Sequence, residues 1–137
     1  MIHEVKVKYV KRDDDGVERV HNEWYAIENC ETFSETEYKV KENFNYDNYK
    51  DFDVTDIKRS RIKEIANSSD SQYDHVFIAE VKDVFTKEDG TTKDIKYKML
   101  FFAHDFDSAK TFISEYLEQN YNMTLIGINE SKFKDIF

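Results

Sequence analysis

The chain has 137 residues, 39% hydrophobic and 15% aromatic, which is enough apolar mass for one compact domain or two half-sized units sharing a core and too much for disorder. Its 20 basic and 29 acidic side chains leave a net charge of −9, which repels free duplex DNA and anionic membranes at long range. A single cysteine, Cys30, excludes an internal disulfide and a cysteine-rich zinc centre and fits a reducing cytoplasm.

Residues 4–11 alternate, with Val5, Val7 and Tyr9 on one side and Glu4, Lys6 and Lys8 on the other, the period of a half-buried strand. Asp13, Asp14, Asp15 and Gly16 follow, and an Asp-Gly step is a strong hairpin signal. Three aspartates in a row suggest calcium, but the downstream glycine and glutamate do not fit an EF-hand loop. The stretch therefore predicts a solvated hairpin tip. Residues 17–28 return as a second strand whose apolar end carries Trp24, Tyr25, Ala26 and Ile27. Ser34 and Glu37 have capping-box spacing and predict a helix to about Phe44, with Tyr38, Val40 and Phe44 on its apolar side. Residues 45–51 read as a polar and aromatic loop and 52–57 as a third strand. Residues 58–66 either prolong that strand or turn into a short helix, since Ile62 and Ile65 allow both.

Residues 67–75 have the composition of a linker, after which the same order recurs. Residues 76–85 predict a strand, Asp89-Gly90 a second hairpin turn, and 94–103 a returning strand with the apolar run Met99, Leu100, Phe101, Phe102. Asp107 or Ser108 caps a helix to about Asn120, with Ala109, Phe112, Ile113, Tyr116 and Leu117 at helical spacing. Residues 123–129 close the unit as a strand. The segment around Ile57 also superposes on the end of the chain. Ile57 meets Ile128, Ser60 meets Ser131, Arg61 meets Lys132, Glu64 meets Asp135 and Ile65 meets Ile136. The expected fold is α+β: tandem duplicated ββαβ units with antiparallel sheets and one crossover helix per unit. Residues 1–66 and 76–137 form the two units of one pseudo-twofold domain.

The run TDIKRSR at residues 55–61 resembles the signature of an uncharacterised domain-of-unknown-function family of Bacteroidetes and their phages. The extended first strand, the second hairpin at residues 76–103 and the ending Asp135-Ile136-Phe137 extend the resemblance over nearly the whole chain. It implies a bacterial or phage-encoded setting and no catalytic residues to carry over.

Lys58, Arg59, Arg61 and Lys63 are the densest basic cluster in this acidic chain. In an extended segment Arg59, Arg61 and Lys63 share one side and could take phosphates or an acidic partner, or simply balance neighbouring carboxylates on a solvated face. Tyr46, Tyr49, Phe52 and Trp24 could stack on bases or serve core packing and loop anchoring, and Tyr46 and Tyr49, in a polar loop, are the better surface candidates. His104-Asp105 sits between a strand and a helix, where catalytic pairs occur, but no nucleophile or second acid accompanies it, and Asp105 or Asp107 is more simply a helix cap. The four histidines match no zinc spacing, and Cys30 lies between Glu28 and Glu31, which disfavour a thiolate. The ending Lys134-Asp135-Ile136-Phe137 could be a recruiting tail, yet the repeat makes it a docked element. The sequence thus predicts a cytoplasmic, non-enzymatic binding protein without cofactor or metal. It would be an adaptor or inhibitor docking on another protein, or alternatively a single-stranded nucleic-acid or nucleotide binder that uses the basic segment.

Overall fold

Two long hairpins frame the chain in a computed structural model that describes residues 1–44, 49–68, 74–120 and 123–137. β1 (His3–Arg12) and β2 (Glu18–Ile27) pair antiparallel from His3↔Ile27 to Arg12↔Glu18. The reversal works because Gly16 takes φ +79° and donates its N–H to Asp13 O at 2.9 Å, a turn closed by a left-handed residue. β5 (His75–Thr86) and β6 (Thr92–Ala103) repeat this, with Gly90 at φ +85° donating to Lys87 O at 3.0 Å.

Each hairpin is followed by a helix and an antiparallel edge strand. α1 (Phe33–Phe44) leads to β3 (Lys50–Arg59), which pairs with β1. α2 (Phe106–Asn120) leads to β7 (Thr124–Glu130), which pairs with β5. α1 starts earlier than its Ser34 capping signal suggests. Thr32, not Ser34, caps α1: its Oγ1 accepts the Glu35 N–H at 3.1 Å. Asp105, among the caps the sequence offers, caps α2: its carboxylate accepts the Ser108 N–H at 2.8 Å while Ser108 Oγ accepts the Asp105 N–H at 3.2 Å. The α2 cap is a reciprocal box, whereas at α1 the Glu35 carboxylate accepts the Glu31 N–H at 3.3 Å, one residue before the cap. Tyr38, expected on the apolar side of α1, is 70% exposed, whereas Val40 is fully buried.

The two short strands correct the expectation of purely antiparallel sheets. β3 stops at Arg59, and the Ser60 N–H bonds to Ile2 O at 2.9 Å. The chain then lays β4 (Glu64–Ile65) parallel to β6, with the Lys63 and Ala66 N–H groups donating to Lys98 O and Leu100 O, both at 2.8 Å. β7 is followed in the same way by β8 (Phe133–Ile136), parallel to β2. The open edge of each hairpin offers unpaired backbone groups, and each short segment satisfies them. The sheet orders are β3-β1-β2-β8 and β4-β6-β5-β7.

The compact units are therefore not contiguous halves of the chain. The first holds Met1–Ser60 with Lys132–Phe137, and the second holds Arg61–Ser131. In the first, Val5, Val7, Tyr9, Tyr25 and Ile27 pack on Val40 of α1. In the second, Phe77, Ala79, Val81, Met99 and Phe101 pack on Ala109, Ile113 and Leu117 of α2. An offset of 74 carries Tyr25 and Ala26 onto Met99 and Leu100, and an offset of 71 carries their partners Glu64 and Ile65 onto Asp135 and Ile136. Among the described residues no helix is long and apolar enough to cross a membrane.

Candidate functional site

Alternation along β1 sends Val5, Val7 and Tyr9 toward α1 and turns Glu4, Lys6 and Lys8 to the other face of the first sheet. On that face the hairpin register sets Lys6 against Trp24, β3 sets Lys58 against Glu4, and β8 sets Phe133 beside Trp24. Three ammonium groups converge on the one indole. Lys132 Nζ is 4.0 Å from the ring centre, Lys58 Nζ 5.2 Å and Lys6 Nζ 6.0 Å. A desolvated indole face attracts cations, and a local excess of positive charge in an acidic chain is a segregated one.

Glu4 anchors the cluster from below. Its side chain is 12% exposed, and Lys132 Nζ lies 2.7 Å from Oε1. Burial pushes its carboxyl up, but hydrogen bonds from Lys132 and Ser60 and the charges of Lys132 and Lys58 outweigh it, and the group is held below the usual carboxylate range. The corresponding places in the second unit hold other residues. By the same offsets Glu80 stands for Lys6, Lys98 for Trp24, Ile78 for Glu4 and Asn129 for Lys58. The cation–indole cluster therefore belongs to the first unit alone.

Of the basic residues singled out in the sequence, only Lys58 joins this cluster. Arg59 ends β3 on the opposite side, in register with His3. Arg61 is exposed and belongs to the second unit, as does Lys63, whose Nζ lies 4.5 Å from the Tyr97 ring centre. The single extended row of Arg59, Arg61 and Lys63 does not form, because residues 60–63 leave the strand to reach β6. Tyr49 packs its ring against Tyr9 at 4.7 Å and Phe44 at 5.1 Å. Tyr46 lies outside the described residues. Trp24, a stacking candidate by sequence, is the centre of the cluster, and its partners Lys6 and Lys132 lie outside the basic run at residues 58–63. The Lys6–Trp24 pairing follows from counting equal distances from the Gly16 turn.

The remaining polar positions are mostly structural. Phe137 is docked: its N–H donates to Ala26 O at 2.8 Å and its ring stacks on Tyr25 at 5.0 Å. Cys30 is buried. His104 Nδ1 lies 3.0 Å from Asp74 and His75 Nδ1 3.4 Å from Glu130, and the two imidazoles line an open cleft of about 260 Å³ together with Phe77, Phe106 and Glu130. Asp105 there is engaged as the α2 cap. Among the described residues no group of three or more histidine, cysteine or carboxylate side chains is placed to hold a metal ion.

The family described as "domain of unknown function (DUF4494)" matches residues 1–137. No curated protein and no solved structure matches the chain.

Proposed function

The chain belongs to the DUF4494 family, and from that premise we propose that it works by binding rather than by catalysis, as an adaptor or inhibitor that docks on another protein through the Trp24 face of the first sheet. The convergence of Lys6, Lys58 and Lys132 on Trp24 carries this reading. Tryptophan is the side chain most often found as an interface anchor, and lysines around it select a complementary acidic patch on the partner. The two units are taken as copies of one ββαβ ancestor, in which the shared positions keep the fold and the divergent ones, Trp24 and Glu4 above all, carry the function. The setting is cytoplasmic, in a Bacteroidetes host or a phage infecting it.

A second reading, single-stranded nucleic acid on the same face, is supported by the pairing of an aromatic ring with three cations. The emission of Trp24, the only tryptophan, distinguishes the two. Titration with a glutamate-rich peptide is expected to perturb the emission, and Lys58→Glu with Lys132→Gln to abolish the response. A response confined to a single-stranded oligonucleotide, falling steeply with salt, would establish the second reading instead. No response to either probe at low salt removes this face from consideration.

A further inference from the structure

A second cationic and aromatic site lies in the first unit, and it does not depend on the Trp24 reading. Val10, Lys11, Arg12, Glu18, Tyr49 and Lys50 line an open groove of about 430 Å³, large enough for a mononucleotide. Three cations face one carboxylate there. Glu18 is shared between Arg12 at 3.9 Å and Lys50 at 3.8 Å, both at the far limit of an ion pair. The Arg12 and Lys50 side chains are 72% and 65% exposed, so neither is locked in place. Such loosely held cations exchange a distant carboxylate for a closer, doubly charged phosphate at little cost. Beside them the Tyr49 ring is fixed by Tyr9 and Phe44, which gives a preorganised aromatic wall.

We propose that this groove binds a nucleotide, with Arg12, Lys50 and Lys11 on its phosphates and Tyr49 against its base or ribose. Arg12 offers the fork that two phosphate oxygens accept, and the two lysines act as point charges. The occupant is a small molecule, because the cations and the ring stand at one groove rather than along a continuous track.

Titration of the full chain with ATP at low salt, followed by calorimetry, tests the assignment, with adenosine and inorganic tripolyphosphate as separate probes. ATP is expected to bind more tightly than either. Arg12→Glu with Lys50→Glu is expected to weaken it by at least about tenfold, the loss of one or two charge-assisted bonds. Both residues are exposed, so unchanged thermal unfolding of the variant confirms that the fold is intact. Trp24 emission is expected to stay constant during the titration. Absence of ATP binding, equal affinity for tripolyphosphate, an unweakened double variant, or a Trp24 response with the same midpoint would each overturn the proposal.

Discussion

Lys132 Nζ lies 4.0 Å from the centre of the Trp24 ring and 2.7 Å from Glu4 Oε1, so one ammonium group serves an indole and a buried carboxylate together. Lys132→Ala would leave Glu4 without its closest cation in a place where its charge is poorly hydrated. Loss of about 1–3 kcal/mol is expected, the cost of stranding a buried polar group. Lys58→Ala, on an exposed residue 5.2 Å from the same ring, should cost under about 1 kcal/mol. Urea unfolding followed by Trp24 emission measures both. Equal losses would mean that Glu4 finds other partners.

The same carboxylate sits one residue from a buried imidazole. His3 is fully buried, and its Nδ1 meets Thr36 Oγ1 at 2.5 Å. Thr36 Oγ1 also reaches Thr32 O at 3.1 Å, to which its hydroxyl can donate. Among the described residues Nε2 has no partner. Burial, the Arg59 guanidinium and the terminal ammonium hold this imidazole below its ordinary 6.5, against a smaller opposing pull from Glu35. The unfolded chain therefore takes up the proton first as pH falls. The contribution of neutral His3 is fully present above 6.5 and is lost progressively as pH drops toward the folded value. Urea midpoints at about pH 7.5 and about pH 5.5 should differ more for the wild type than for His3→Gln, which cannot titrate. Identical pH dependence would exclude His3 as the source.

Burial on α1 gives a sharper contrast than its sequence does. Val40 is fully buried and Tyr38 is 70% exposed, although both count as apolar. Val40→Ala should cost about 1–3 kcal/mol in lost contacts and cavity, and Tyr38→Ala should change stability by less than about 0.5 kcal/mol. Thermal unfolding of the two variants tests this, and a large effect at Tyr38 would reveal a contact on that side of the helix.

The hairpins were legible in the sequence because their causes are local: alternation in β1 and a glycine that accepts φ near +80° at each turn. From them follows the Lys6–Trp24 pair, since both residues lie equally far from the same turn. Lys132 could not be placed that way. It reaches Trp24 only because β8 returns to β2, and a four-residue parallel strand has no periodicity of its own. The match of Arg61 with Lys132 did hold the necessary hint, because both residues lie in the step from a third strand to a short parallel strand. What it concealed was direction: Ser60 bonds to Ile2 and Lys63 to Lys98, so the basic run at residues 58–63 is divided between two units. The cluster expected from its charge density was dispersed by strand pairing, which outweighs mutual placement of exposed lysines by several backbone hydrogen bonds.

The ends of the two short strands are held by different groups, and this yields the last prediction. Phe137 donates its N–H to Ala26 O and accepts the Glu28 N–H at 3.0 Å through its own backbone oxygen. At the corresponding place Ala66 donates to Leu100 O, but the Phe102 N–H is taken at 2.7 Å by the side-chain oxygen of Asn67, whose Nδ2 returns a bond to Phe102 O at 3.1 Å. The Asn67 amide thus imitates one further peptide unit of β4. Asn67→Ala leaves both backbone groups of Phe102 short of a partner and should cost about 1–3 kcal/mol. Asn67→Asp keeps the acceptor, turns the donor into a second acceptor facing Phe102 O, and should also destabilise. Amide hydrogen exchange at Phe102 is the specific readout: faster exchange in Asn67→Ala than in Asn67→Asp is expected, because only aspartate still accepts that N–H. Unchanged protection in both variants would mean that the amide is sheltered by burial alone, Phe102 being 8% exposed.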